Sequence, residues 1–205
     1  MQMQTVDFYF DFGSPNAYLA HLVIPQIEKR TGVTFNYVPV LLGGLFKLAN
    51  NQSPMMAFAG VPKKLAYERH ETERFVKRHG ITDYRSNPDF PINTLQLMRG
   101  AVAAQELGVF RPYVEAVYRG MWAQPRNMGD PEVFRATLTA AGLDADAIIA
   151  LSQTQPVKDR LIANTEAAYE KGAFGSPSFL VGDELYFGKD RLRDVEDEII
   201  ARQAA

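Results

Sequence analysis

The chain has 205 residues, with 22 Lys and Arg against 24 Asp and Glu, a formal net charge of −2 and no cysteine. This length suits one large domain or two small ones, and 46% hydrophobic with 22% charged residues is typical of a globular protein. The small net charge excludes a general attraction to nucleic acid or anionic lipid. The absence of cysteine excludes disulfides, protein thiolates, Cys-based zinc sites and iron–sulfur clusters.

The N-terminal segment from Met1 to Phe10 lacks the basic region and the long apolar region of a secretory signal. No stretch reaches the ~20 apolar residues that cross a bilayer. We therefore expect a cytoplasmic protein without membrane contact. His21, His70 and His79 do not have H-E-x-x-H spacing, so we expect no metal site and surface or packing roles for them.

The first third of the chain predicts a βαβ unit. Alternating apolar residues favour a strand over 6–10. The pair Ser14-Pro15 is typical of a helix N-cap and first position, and Gly32 ends that helix. Pro25 lies inside it and predicts a kink or an interruption. A second strand is predicted over 33–37.

Helical periodicity replaces strand alternation from Leu42 to about Gly172. Helices are predicted over 62–79, 93–106, 110–122, 131–141, 144–152 and 157–171. Strand character returns over 178–181, followed by a Gly182-Asp183 hairpin turn and a return strand over 184–187. A last amphipathic helix begins near Leu192.

This order predicts an α/β fold of the thioredoxin type, βαβ…ββα, whose sheet is split by a large all-helical insertion. The predicted domains are 1–42 with 172–205 for the thioredoxin-like part and 43–171 for the insertion.

Two short segments carry the first candidate sites. Ser14 puts a hydroxyl at a helix N-terminus, where free N–H groups and the helix dipole favour an anion; by itself, it is more often only an N-cap. Ser176-Pro177 lies immediately before a strand, where a cis bond would expose backbone groups to a ligand, although an ordinary trans loop is the commoner arrangement.

Two further polar clusters follow strands. Lys189, Asp190 and Arg191 lie where the last strand meets the last helix, and Asp190 is equally suited to capping that helix. The segment 45–52 places Lys47 and three amide side chains after the second strand, and an exposed loop is its simplest interpretation.

Together these segments resemble the 2-hydroxychromene-2-carboxylate isomerases and the related kappa-class glutathione transferases, in the DsbA-like branch of the thioredoxin superfamily. The resemblance is carried by Phe10–Pro15 with Tyr18–Ala20, Lys47 with Asn51-Gln52, Gly172–Phe179, and Phe187–Leu192. These segments span nearly the whole chain in the family's order.

The resemblance implies that the reactive thiol belongs to a bound molecule and not to the protein. Redox members open the first helix with C-P-x-C, but Ser14-Pro15-Asn16-Ala17 stands here, which excludes thiol–disulfide exchange. Glutathione is then the implied cofactor, with the Ser14 hydroxyl donating a hydrogen bond to its thiolate. The resemblance assigns the glutathione site to Ser14, Asn51, Ser176, Pro177, Lys189, Asp190 and Arg191, and the substrate side to Lys47 and Asn51.

The implied activity is cis–trans isomerisation of 2-hydroxychromene-2-carboxylate to trans-o-hydroxybenzylidenepyruvate in naphthalene-type aromatic catabolism, by a homodimer. The alternatives are a kappa-like transferase that conjugates electrophiles and a non-catalytic DsbA-like binding module. Two features depart from the family pattern: Ser176 stands where isomerases often carry an aliphatic residue, and Asn50 beside Asn51 leaves a one-residue ambiguity.

Overall fold

The computed structural model describes residues 5–204. It contains a four-stranded mixed sheet with the strand order β2-β1-β3-β4. The strands are β1 (Thr5–Phe10), β2 (Thr34–Pro39), β3 (Ser178–Val181) and β4 (Glu184–Phe187). β1 pairs in parallel with β2 and antiparallel with β3, and β3 pairs antiparallel with β4. Segments far apart in sequence therefore meet along the central strand β1.

The helices follow the predicted order. They are α1 (Pro15–Thr31), α2 (Leu42–Leu48), α3 (Pro54–Ala57), α4 (Pro62–Arg78), α5 (Leu95–Glu106), α6 (Phe110–Tyr118), α7 (Pro131–Ala140), α8 (Ala145–Ser152), α9 (Gln155–Glu170) and α10 (Leu192–Ala204). The helix predicted over 110–122 is α-helical only to Tyr118 and continues as a π-helical turn, and a 3₁₀ turn over 189–191 precedes α10. The βαβ, helical block and ββα order of the prediction is confirmed.

Helix α1 begins and ends where the sequence predicts. The Ser14 hydroxyl accepts a hydrogen bond from the Ala17 N–H, and Gly32 ends the helix with a φ of +72°. The helix continues through Pro25, so of the two predicted effects of this proline an interruption is wrong and a kink stays a prediction. Ile24 and Ile27 are buried on either side of the proline, and their packing holds the helix together despite the missing N–H.

The segment after β2 differs in part from the prediction, because α2 extends to Leu48 and only 49–52 of the segment 45–52 are non-helical. Gly43 and Gly44 are poor helix formers and conceal the helix in the sequence. Burial of Leu45 anchors the helix. A Cβ at Gly44 would lie 3.1 Å from the Thr165 side chain, so glycine permits close packing of α2 on α9.

The sheet is covered on both faces. Phe8 and Phe10 point into the main core with α1, α5, α6 and α10, whereas Tyr9 points to a smaller cluster with Leu45 and Ala168. One continuous core joins the sheet to the helical block, and the division into domains at 42/43 and 171/172 stays a prediction. Residues 1–4 and 205, which that division includes, lie outside the described residues.

Within residues 5–204, no helix is long and apolar enough to cross a membrane. The same residues contain no group of three His, Cys, Asp or Glu side chains arranged to hold a metal ion.

Candidate active site at the start of helix α1

Ser14 is buried at the N-terminus of α1, with only 4% of its surface exposed. Its Oγ accepts a hydrogen bond from the Ala17 N–H at 3.1 Å and donates one to the Ser176 carbonyl at 2.8 Å. The hydroxyl is therefore both the helix cap and the contact between two segments 162 residues apart. A negatively charged atom at this position benefits from the helix dipole and from the free N–H groups of the first turn.

Ser176 presents its backbone to Ser14 and its side chain to β1. The Ser176–Pro177 peptide bond is cis, as the resemblance implies. The Ser176 hydroxyl accepts from the Asp11 N–H at 3.2 Å and donates to the Tyr9 carbonyl at 3.4 Å. Because the hydroxyl is bound to β1, serine in place of an aliphatic residue leaves the Ser176 carbonyl available on the Ser14 side.

Asp11 lies fully buried at the end of β1, immediately before the turn that carries Ser14. Its Oδ1 accepts from the Gly13 N–H and its Oδ2 from the Leu42 N–H, both at 2.8 Å. Burial raises the pKa of Asp11 above its usual 3.8, and hydrogen bonds from Leu42, Gly13 and Thr94 partly oppose this shift. In the sequence, Asp11 is visible only as part of the motif Phe10–Pro15, and its one distinguishing signal is a carboxyl directly after an apolar strand.

Asn51 reaches the loop that precedes Ser176. Its Nδ2 donates to the Phe174 carbonyl at 3.2 Å, and its Oδ1 accepts from the Gln52 N–H at 2.8 Å. Asn50 instead adopts a left-handed backbone with a φ of +48°, which asparagine tolerates better than most residues. Asn51 is thus the member of the pair that contacts this loop.

Lys47 is exposed in the last turn of α2, on the helix that leads to Asn51. The structure thus brings Asn51 to the Ser176 loop and leaves the Lys47 side chain facing solvent.

The turn over 189–191 adjoins the Ser176 loop through its backbone, since the Gly188 N–H donates to the Pro177 carbonyl at 2.9 Å. Lys189 is buried, with its Nζ 2.8 Å from Asp190 Oδ2 and 5.0 Å from the centre of the Phe75 ring on α4. These three side chains line a cleft of about 350 Å³. The ammonium of Lys189 is therefore already engaged by Asp190 and α4.

Arg191 is an exposed residue whose Nη1 lies 3.1 Å from Asp194 Oδ2 in the first turn of α10. Its guanidinium is thereby held against α10.

The helical block closes over the turn before Ser14. Trp122 Nε1 donates to the Phe12 carbonyl at 2.8 Å, and Met98 Sδ accepts from the Phe12 N–H at 3.4 Å. Trp122 is buried in the core, as are Tyr113 and Tyr118. These two contacts join residues that lie 86 and 110 positions apart in the chain, so no local sequence pattern predicts them.

The histidines include no candidate catalyst. His21 is buried and shares a hydrogen bond with the Tyr37 hydroxyl at 2.8 Å, whereas His70 is exposed beside Glu73. His79 packs on the ring of Phe75. His21 Nε2 also lies 3.3 Å from Glu115 Oε1. The surface and packing roles expected for the three residues stay predictions.

Fold and sequence together define the class of this protein. Residues 5–200 match the DSBA-like thioredoxin domain family, and the chain belongs to this family.

Among curated proteins, the chain is similar to the 2-hydroxychromene-2-carboxylate isomerase of Sphingobium xenophagum, with 28% identity over 199 residues, 96% of this chain and 98% of that protein. The isomerase of Pseudomonas putida is also 28% identical, over 98% of this chain and 97% of that protein. Human glutathione S-transferase kappa 1 is 22% identical over 92% of this chain and 88% of its own.

A solved structure of 2-hydroxychromene-2-carboxylate isomerase superposes with a TM-score of 0.82 at 27% identity, covering 98% of this chain and 97% of that one. The thioredoxin-like fold with its helical block and the resemblance to these isomerases and kappa-class transferases are both confirmed.

Proposed function

We propose that the protein is a glutathione-dependent isomerase that converts 2-hydroxychromene-2-carboxylate to trans-o-hydroxybenzylidenepyruvate in aromatic catabolism. One observation carries the proposal: the Ser14 hydroxyl is buried at the N-terminus of α1 and faces the carbonyl of Ser176, the residue before cis-Pro177. The isomerase names of relatives at 28% identity over nearly the whole chain support it. The homodimer implied by the resemblance and the cytoplasmic location expected from the sequence remain predictions.

The groups around Ser14 suit a bound thiolate. A free thiol has a pKa of about 8.5, so only a few per cent is ionised at neutral pH. A hydroxyl donor and a helix N-terminus both favour the charged form, and each pKa unit of depression corresponds to about 1.4 kcal/mol. The chain has no cysteine that could compete for this position. Ser14 then acts as a hydrogen-bond donor and not as a nucleophile.

The hydrogen bond between Ser14 and Ser176 defines how the site accepts a ligand. The Ser14 hydroxyl has a single proton, which it donates to the Ser176 carbonyl. A ligand backbone N–H that binds this carbonyl replaces that donor and releases the Ser14 proton toward a sulfur atom. The exchange keeps the Ser176 carbonyl satisfied, so the buried site loses no hydrogen bond on binding.

Glutathione, when bound near Ser14, would supply a thiolate nucleophile for reversible addition to the substrate. Two cations of this chain are candidates for the substrate carboxylate. Lys47 is exposed on α2. Arg119 lines a cleft of about 520 Å³ together with Tyr18, which lies one turn of α1 after Ser14.

The proposal is tested by incubating the purified protein with glutathione and 2-hydroxychromene-2-carboxylate and following product absorbance. We expect turnover that requires glutathione and falls sharply in Ser14→Ala. Comparison of Lys47→Met with Arg119→Met assigns the carboxylate partner, because only the correct change raises the substrate KM. Glutathione-dependent turnover that is unchanged in Ser14→Ala overturns the role given to this hydroxyl.

A kappa-like transferase is the second candidate, supported by relatives named glutathione S-transferase kappa 1 at 22–24% identity. Conjugation of glutathione to chlorodinitrobenzene, without isomerase turnover, would favour this activity. A protein that binds no glutathione in calorimetry is instead a non-catalytic DsbA-like binding module.

A further inference from the structure

Asp11 connects the segments that meet at Ser14. Its backbone N–H donates to the Ser176 hydroxyl, and its backbone carbonyl accepts from the Ser14 N–H at 3.0 Å. Its carboxyl accepts from the N–H groups of Gly13 and Leu42. Asp11 therefore binds residues from three separate parts of the chain: the turn at 13–14, the start of α2 at Leu42, and Ser176.

The position of this carboxyl is energetically unfavourable. Asp11 is fully buried, and no Lys, Arg or His within the described range 5–204 forms an ion pair with it. A buried carboxylate without a counter-ion is costly, even when hydrogen bonds compensate part of the lost hydration. A gain in folding stability therefore explains such a group poorly. The two backbone N–H groups that the carboxyl binds, those of Gly13 and Leu42, point instead to a role in holding the local backbone geometry.

Helix α2 depends on Asp11 for its N-terminal cap. A helix start leaves backbone N–H groups without partners, and the N-cap residue Leu41 offers no side-chain acceptor. Asp11 Oδ2 supplies that acceptor to Leu42 from 31 residues earlier in the chain. α2 carries Lys47 and leads to Asn51, so the carboxyl links the Ser14 turn to the helix on the substrate side.

We propose that Asp11 is a positioning residue whose carboxyl holds the turn before Ser14 and the start of α2 in one geometry. It aligns the thiol end of the site with the substrate side without contacting either ligand. The kinetic consequence rests on the proposed function, whereas the contact itself can be tested in the ligand-free protein.

The first experiment measures amide hydrogen exchange in ligand-free Asp11→Asn. An amide side chain replaces one acceptor oxygen by an NH₂ donor, so either Gly13 or Leu42 loses its partner. We expect exchange at that amide to become at least about tenfold faster, since the lost protection corresponds to ~1.4 kcal/mol or more. Asp7→Asn is the matched control, because Asp7 lies in β1, four residues before Asp11, and its carboxyl contacts the side chains of Asn36 and Tyr9 but not the Ser14 turn or α2. Unchanged exchange at both amides in Asp11→Asn overturns the inference.

The second experiment measures kinetics with glutathione and the isomerase substrate. We expect kcat/KM of Asp11→Asn to fall ~10- to 100-fold, the effect of a misplacement of about 1 Å. The substrate KM should carry much of that loss because α2 holds Lys47, whereas a smaller folded fraction would lower kcat alone. Asp7→Asn should stay within about twofold of the parent protein.

Two outcomes separate this inference from the proposed function. A parent protein without glutathione-dependent turnover, whose Asp11→Asn variant still exchanges faster, refutes the function and leaves the positioning contact intact. An active parent whose Asp11→Asn variant keeps full kcat/KM refutes the inference alone. If Asp11→Asn does not fold, Thr94→Val removes one hydrogen bond to the same carboxyl, and a substrate KM equal to that of the parent then counts against the proposal.

Discussion

Two regions beside Ser14 differ in how they are held. The buried corner, defined as Asp11, Ser14, Ser176 and Pro177, is held by hydrogen bonds between serine hydroxyls and the backbone, and its three polar residues are at most 8% exposed. The exposed segment over 47–61 includes Met55 and Met56, which are 49% and 66% exposed. Under the proposed function, the half of the site assigned to the sulfur is therefore preformed, whereas the half assigned to the substrate is largely exposed.

One contact from the corner holds the start of α2, the helix that leads into the exposed segment, and one contact from the segment reaches the loop before Ser176. Asp11 caps α2 through Leu42, and Asn51 donates to the Phe174 carbonyl. Changes in the corner should therefore affect the chemistry, and changes in the exposed segment should affect ligand affinity.

The largest expected effect is at the corner. Ser14→Ala removes the hydroxyl donor, and loss of one such preorganised donor lowers turnover about 100-fold. Ser53→Ala is the matched control, since Ser53 precedes Pro54 and caps α3 in the same way. Each change should cost about 1 kcal/mol of capping energy or less, but only Ser14→Ala should lose activity. Equal activity in steady-state assays of the two variants would remove the proposed distinction.

The next largest effect concerns the buried Lys189. It tests whether a buried charged residue beside the Ser176 loop takes part in ligand binding or has only a structural role. Asp190→Ala leaves the ammonium without its carboxylate and should lower the free energy of unfolding by about 2–3 kcal/mol. Lys189→Met keeps the contact with Phe75 and leaves only an exposed carboxylate, so it should cost less than about 1 kcal/mol. Urea unfolding measures both, and the reverse order contradicts the structural role of the pair. A weaker glutathione affinity in Lys189→Met would instead support the role implied by the resemblance.

A smaller effect is expected in the exposed segment. Asn51→Ala loses one hydrogen bond to the loop before Ser176, worth about 1 kcal/mol, and should weaken glutathione binding about fivefold. Asn50→Gly places glycine at a left-handed position and should leave the affinity within about twofold. Calorimetry with glutathione compares the two, and a larger effect at Asn50 would reverse the assignment.

The pH dependence of stability gives the smallest effect. Burial raises the pKa of Asp11 above 3.8, so the folded protein binds this proton more tightly than the unfolded chain does. The free energy of unfolding then loses this contribution as the pH rises from near 3.8 through the folded pKa. We expect the stability of Asp11→Asn relative to the parent to increase across that window, in urea unfolding from about pH 3.5 to 7. Parallel curves would show that the carboxyl keeps its usual pKa.

Local patterns in the sequence predict most of the elements and their order. Ser14-Pro15 and Gly32 define α1, and the Gly182-Asp183 turn defines the β3–β4 hairpin, because these residues act through their own backbone preferences. Helix α2 escapes prediction because the Gly43-Gly44 pair lowers its helix propensity, while its stability comes from a carboxyl 31 residues away and from burial of Leu45.

The sequence predicts which chemical groups form the candidate site but not which residues those groups contact. The position of Ser14 at a helix N-terminus follows from the motif, whereas its hydrogen bond to Ser176 depends on the antiparallel pairing of β1 with β3. The engagement of Lys189 by Asp190 and Phe75 depends on where α4 packs, which no local pattern encodes.

The central place of β1 has a consequence for biosynthesis. β1 pairs with β2 early in the chain, but its other edge is covered only by β3, which begins at Ser178. A ribosome making roughly 5–20 residues per second leaves that edge open for many seconds, as a possible template for other chains. The hydrogen bond between the Ser14 hydroxyl and the Ser176 carbonyl forms only after β3 has been synthesised. A nascent chain that stalls within the helical block therefore has no assembled site, and its open strand edge is exposed to aggregation.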